Sequence, residues 1–281
     1  GEGALSVALQ EGITKADSEA GLGAGAALFQ ATMRLVFALL LLVCGAGMVI
    51  AWCLPDTMPF TGAQWLGGDP AAIRELVVQL MPYVVLVCMT ALAAGALNVR
   101  GRYAASSWSP IVFNLGWVAA LVAVGLAWGW EPEGERLLGE EMAMVQALGW
   151  GVLTAGLFQL ALQFPSLRSS GLLLASAVDP EARVRAKRVL RDALPLAVGA
   201  AVYQINVLID GWMAEGLLSD GGPTLYYYAN RLQQLPMALI SISATTAAFP
   251  ALLALGQSGD LGGLRELHDK TQRGVVYLLL P

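Results

Sequence analysis

Residues 35–55 read LVFALLLLVCGAGMVIAWCLP, a run without one charged side chain. At about 1.5 Å of rise per residue, a helix of that length covers the ~30 Å hydrocarbon core of a bilayer. Working outward, uncharged runs recur at Leu76–Val99, Tyr103–Trp130, Met142–Leu167, Ala193–Ile209 and Leu232–Gly259. Buried strands of a soluble protein make apolar runs of only about 4–8 residues, and a soluble core does not bury six such helices in succession. Composition agrees: 57% of residues are hydrophobic and 13% charged, against roughly a quarter charged in soluble domains, and the mean hydropathy is +0.63. The fold class expected is all-α, a polytopic transmembrane helix bundle with about six complete spans and two partial ones.

The spans are expected at Ala26–Leu54, Ala72–Leu97, Ser107–Trp130, Met142–Phe164, Ala193–Leu218 and Thr224–Leu255, with part of a helix over Gly1–Glu19 and another beginning near Gly274. Alternating the loops between two sides sorts the basic residues. Thirteen of the 16 Lys and Arg fall on one side, only Arg74 and Arg136 on the other, and Arg231 lies inside a span. Basic residues stay cytoplasmic, so the crowded side is inside. The net charge of −5 says little about partners, since charge in such a protein is informative by side rather than by sum. The chain opens on Gly1-Glu2-Gly3 and closes at Pro281 within an apolar run, and is expected to be an internal fragment of a longer protein.

Two lobes are expected, residues 1–191 and 192–281, with a basic cytoplasmic connector over 165–191. In the connector, Asp179-Pro180-Glu181 precedes Arg183, Arg185, Lys187, Arg188 and Arg191, a helix start with proline at its first position. It reads either as an amphipathic helix on the anionic leaflet or as an ordinary positive-inside loop.

Three ionisable residues inside apolar runs call for explanation. Arg231 lies roughly 12 Å along the helix that begins near Pro223, deep enough that facing lipid would cost about 2.5–3.5 kcal/mol. Snorkelling past Tyr226-Tyr227-Tyr228 is one reading. A cavity-facing role is favoured, because intramembrane ionisable groups face bundle interiors, and a planar guanidinium suits a phosphate or pyrophosphate. Asp210 shares a helix face with Tyr203 and Asn206; it reads as a coupling site for a cation or proton, a counter-ion for Arg231, or a polar contact between helices. Glu215 sits near the outer end of its span and is expected at the interface. Pro82, Pro110, Pro195, Pro236 and Pro250 are candidate kinks. Cys44, Cys53 and Cys88 lack metal-ligand spacing, and the lone His268 lies among cytoplasmic charges. With no Gly-rich phosphate loop, HExxH, CxxC or Ser/His/Asp set, no enzyme and no metal site are expected.

Several segments occur in the order seen in one transporter family. They are Glu2-Gly3-Ala4-Leu5-Ser6, Met81-Pro82-Tyr83, Gly95-Ala96-Leu97-Asn98, Arg102-Tyr103-Ala104, Pro110 to Asn114, Gln159-Leu160 to Pro165, and Leu194-Pro195 through Gln204-Ile205-Asn206. The most specific is Tyr227-Tyr228-Ala229-Asn230-Arg231-Leu232-Gln233-Gln234-Leu235-Pro236, ending at Phe249-Pro250. The sequence resembles the MurJ (MviN) family of lipid II flippases, within the MOP exporter superfamily, across essentially its whole length. The stretch Ala238-Leu239-Ile240-Ser241-Ile242-Ser243 lacks the glycine that the family usually has after Leu-Pro.

That resemblance implies a MOP-type bundle in the bacterial inner membrane that moves the undecaprenyl-pyrophosphate-linked peptidoglycan precursor by alternating access. It implies Arg231 and Asn230 as substrate-binding residues, Asp210 and Asn206 as coupling or cation candidates, and no cofactor beyond a coupling cation, sodium or proton. Lipid II and membrane lipids are the implied partners, with no nucleic acid. The alternatives are another MOP exporter, for a lipid-linked oligosaccharide or a drug cation, or a non-transporting scaffold of envelope synthesis. A drug-cation antiporter is expected to place acids, not Arg231, at its cavity centre.

Overall fold

A computed structural model describes residues 4–53, 70–129, 138–173, 180–217, 222–242 and 259–279, with isolated residues between 243 and 258. The helices in chain order are α1 (Ala4–Ala20), α2 (Leu22–Cys53), α3 (Pro70–Val99), α4 (Tyr103–Trp128), α5 (Leu138–Ser169), α6 (Pro180–Leu217), α7 (Gly222–Pro236), a π-helical turn (Met237–Ile242), and α8 (Leu261–Leu279). No strand occurs among the described residues. Five helices, α2 to α6, are long and apolar enough to cross a membrane, which suits a solvent that leaves backbone groups no partner outside the helix. The expected sixth span is described without a break only to Ile242. Phe249-Pro250, Glu2-Gly3, Asp179, Asp220-Gly221 and the loop residues Glu131 to Arg136 lie outside the described residues.

Two expected boundaries shift, each for a local reason. Helix α6 runs unbroken from Pro180 through Pro195 to Leu217, so the basic part of the connector and the fifth span are one helix. Proline opens it where its missing N–H is not needed. Helix α8 starts at Leu261, well before Gly274: the Asp260 carboxylate accepts the Gly263 N–H at 2.9 Å, an N-cap that carries the charged stretch to Arg273 into the helix.

The chain divides into two compact units, Gly1–Val202 and Tyr203–Pro281, so the lobe boundary expected at 191/192 falls inside α6. In the first unit, the core gathers Leu9 and Ile13 of α1, Leu28 and Phe29 of α2, and Leu92 and Leu97 of α3. This is the end of the bundle that carries Lys15, Arg100 and the basic start of α6. Ala182, Ala186, Val189 and Ala193 of α6 are buried at helical spacing while Arg183, Lys187, Arg188 and Arg191 are exposed. The basic segment is therefore an amphipathic helix whose apolar face packs on protein.

Small residues set the spacing of the helices, as expected where lipid provides no hydrophobic drive between them. A methyl group added at Gly95 would strike the Ser6 hydroxyl, joining two of the motifs quoted above, and one at Gly151 would strike Ala120. The Ser6 hydroxyl donates to the Ala91 carbonyl at 3.2 Å across α1 and α3. Between α4 and α5, buried Gln163 donates to Ser109 at 3.1 Å. Helix α3 ends in a Schellman turn: Arg102 N–H bonds the Leu97 carbonyl at 2.9 Å and Gly101 N–H the Asn98 carbonyl at 3.0 Å, with Gly101 at φ +69°, a conformation glycine adopts without strain.

One ion pair in this unit is almost dry. Arg100 reaches Asp17 at 2.8 Å, their side chains 12% and 13% exposed, and a second guanidinium nitrogen lies 3.3 Å from the other carboxylate oxygen. That oxygen also accepts the Gly25 N–H at 3.1 Å. Asp17 of α1 thus holds the first turn of α2 and the end of α3 together, with Gly25 leaving room for the carboxylate.

Candidate functional site

The second unit holds the end of α6 and the whole of α7. Helix α7 opens on Gly222-Pro223 and closes on Pro236, whose ring offers no N–H to the carbonyl four residues back. A π-helical turn over Met237–Ile242 follows, a geometry that clusters at functional sites. Between these ends, Tyr226, Asn230 and Gln234 repeat at intervals of four and share one face, while Tyr227 and Arg231 form the neighbouring stripe.

On that face a line of hydrogen bonds joins the two charged residues picked out in the sequence. The Tyr226 hydroxyl donates to the Asp210 carboxylate of α6 at 2.9 Å. The Asn230 amide nitrogen lies 3.5 Å from the Tyr226 oxygen, and Gln234 donates to the Asn230 carbonyl at 3.1 Å. The Arg231 guanidinium donates to the Gln234 carbonyl at 3.3 Å and lies 5.1 Å from the centre of the Tyr227 ring. Tyr227 in turn packs edge-on against Tyr228, with centroids 5.8 Å apart.

Each residue expected at the site has a definite place. Arg231 is exposed on its own unit, and among the described residues its partners are a neutral amide and a ring, not a carboxylate. Asp210 is half-buried and bonds Tyr226 rather than Arg231 directly. Asn230 has its amide engaged at both ends, between Tyr226 and Gln234. Asn206 is exposed one turn before Asp210 and stands outside these bonds. Glu215 lies in the last turns of α6.

Sequence reasoning passed over Tyr226 as part of an interfacial belt and Gln234 as part of a motif. The signal that finds them is their spacing with Asn230: three hydrogen-bonding side chains at i, i+4 and i+8 in a segment otherwise rich in apolar residues.

Among the described residues, no group of three His, Cys, Asp or Glu side chains gathers to hold a metal ion. Oxygen ligands suited to a hard cation do occur on one face at Asp210 and, a turn earlier, Asn206.

Outside the core, large apolar side chains such as Leu42, Leu115 and Leu126 are exposed on the first unit. Such surface is stable only in hydrocarbon, and with five membrane-length helices the chain is a multi-pass α-helical membrane protein. The sequence matches the family described as lipid II flippase MurJ over residues 1–281. The chain belongs to that family.

Relatives agree. The chain is 31% identical over 232 residues to a probable lipid II flippase MurJ of Rhizobium meliloti (strain 1021), covering 80% of this chain and 41% of that protein. It is 27% identical over 256 residues to the lipid II flippase MurJ of Burkholderia cenocepacia, covering 85% and 47%. A probable lipid II flippase MurJ of Vibrio cholerae is 29% identical over 225 residues, covering 77% and 39%. The chain therefore spans less than half the length of the curated relatives it matches.

Proposed function

We propose that the full-length protein carries lipid II, the undecaprenyl-pyrophosphate-linked peptidoglycan precursor, across the bacterial inner membrane by alternating access. Transport of this kind makes no covalent bond. It needs binding that differs between the inward- and outward-open states.

The observation that carries the reading is the state of Arg231. Its positive charge is held in place by an amide oxygen and a tyrosine ring, neither of which neutralises it. A guanidinium so held keeps its affinity for a doubly hydrogen-bonding oxyanion, and a pyrophosphate offers one. Asn230 supports this role through the same network, and Asp210 with Asn206 supplies the side-chain oxygens for a coupling cation, sodium or proton. The basic residues around α6 favour the cytoplasmic side for their end of the bundle.

The test is complementation of a bacterium depleted of its own lipid II flippase by the full-length gene. Wild type and Arg231→Lys are expected to restore growth to different extents and Arg231→Ala to fail at equal protein level in the membrane. Full growth on Arg231→Ala removes the pyrophosphate role. Failure of the wild-type gene itself, at normal membrane level, favours a scaffold or a different cargo.

A further inference from the structure

The bonds between Asp210 and Arg231 have a polarity that their two ends dictate. A guanidinium has only donors and a carboxylate only acceptors. Where each amide uses its oxygen toward one neighbour and its nitrogen toward the other, an unbroken line of hydrogen bonds between them runs with every donor pointing toward Asp210. It does: Arg231 donates to Gln234, Gln234 to Asn230, Asn230 to Tyr226 and Tyr226 to Asp210. The amide orientations of Asn230 and Gln234 and the direction of the Tyr226 hydroxyl match the charges at the two ends. Aligned bonds polarise one another, and reversing one member turns its neighbours.

We propose that Tyr226, Asn230 and Gln234 act as a positioning relay that ties the charge state of Asp210 to the aim of the Arg231 guanidinium. This rests on the flippase reading, and names the residues that would couple its two charged positions. When Asp210 is an open carboxylate, the Tyr226 hydroxyl is drawn to it by a charge-assisted bond, Asn230 and Gln234 are aligned behind it, and the Gln234 carbonyl holds Arg231 against Tyr227. When a cation or proton neutralises Asp210, that pull on Tyr226 weakens. The Tyr226 hydroxyl then turns to donate to the Asn230 carbonyl instead, which displaces Gln234 and releases Arg231 from it. The Asn230–Tyr226 link, at 3.5 Å the longest of the four, is where the line opens first. Occupancy at Asp210 thereby changes how the oxyanion-binding group is presented, the two sites lying on consecutive helices.

The experiment is a double-mutant cycle on the full-length protein in nanodiscs, reading the affinity for undecaprenyl pyrophosphate. Asp210→Asn mimics the neutralised carboxylate. In the Tyr226 background it is expected to shift the dissociation constant by about fivefold or more, the lower end of measured coupling between sites. In the Tyr226→Phe background, the same substitution is expected to shift it less than about twofold. Gln234→Leu, which cuts the line at its other end, is expected to behave as Tyr226→Phe does, and serves alone if the phenylalanine variant does not fold. An equal shift in all backgrounds, or none in any, overturns the relay while leaving the flippase reading intact. Wild type that does not bind the probe, or Arg231→Ala that binds as wild type does, overturns the flippase reading and the relay with it.

Discussion

Arg100 and Asp17 in the first unit meet directly, at 2.8 Å and nearly out of solvent. Arg231 and Asp210 in the second are joined only through three neutral side chains. The residue types are the same and the roles opposite. A buried guanidinium–carboxylate pair cancels its own charge, and losing one partner strands the other, so it fastens helices together. Charges kept apart by amides and a phenol remain available to outside ligands. The surroundings follow suit: among the described residues, every buried apolar side chain except Ala214 belongs to the first unit. Under the proposed function, the first unit serves as a scaffold and the second carries the binding surface.

The sharpest way to break that contrast is to remove each arginine in turn. Arg100→Ala leaves the Asp17 carboxylate buried beside α2 and is expected to destabilise the protein by about 3–5 kcal/mol, seen as a lower unfolding temperature and lower membrane abundance. Asp17→Asn with Arg100→Met is expected to recover much of that loss, since a neutral pair of similar size leaves no stranded charge. Arg231→Ala is expected to leave the unfolding temperature within about 1 °C, as an exposed substitution stays within about 0.5 kcal/mol, while transport of a labelled polyprenyl-pyrophosphate lipid in proteoliposomes falls at least about tenfold. A large stability loss from Arg231→Ala would erase the distinction between the units.

Smaller effects sharpen the comparison. Gly95→Ala is expected to destabilise by about 1–3 kcal/mol through overpacking against Ser6, and Ser6→Ala in the same chain is expected to relieve part of it; thermal unfolding in detergent reads both. Asp260→Ala, at the start of α8, is expected to lose about 1 kcal/mol of local helix stability, visible as faster amide exchange over Leu261–Leu264 with little change in the first unit.

Much of the fold was legible before any coordinates. The uncharged runs predicted α2 to α6, because a helix that must satisfy its backbone inside lipid cannot contain many charges. The start of α6 at Pro180 followed from proline's missing N–H, whereas the early start of α8 was missed even though Gly259-Asp260 is a readable cap. The family motifs supplied Arg231 and Asp210 as residues of interest. They did not tell that Asn206 would stand apart from Asp210's hydrogen bond while Tyr226 supplied it, since residues that share a face of one helix need not point at the same partner on the next.

Helix type and membrane residence were determined by the sequence alone, because hydrophobic length acts along the chain and needs no partner. Which arginine becomes a fastener and which stays available was decided only by tertiary structure. Asp17 and Arg100 are 83 positions apart in the sequence, and only the packing of α1, α2 and α3 brings them together and shuts out water. Among the described residues, Arg231 meets no such carboxylate, and the partners it has are neutral.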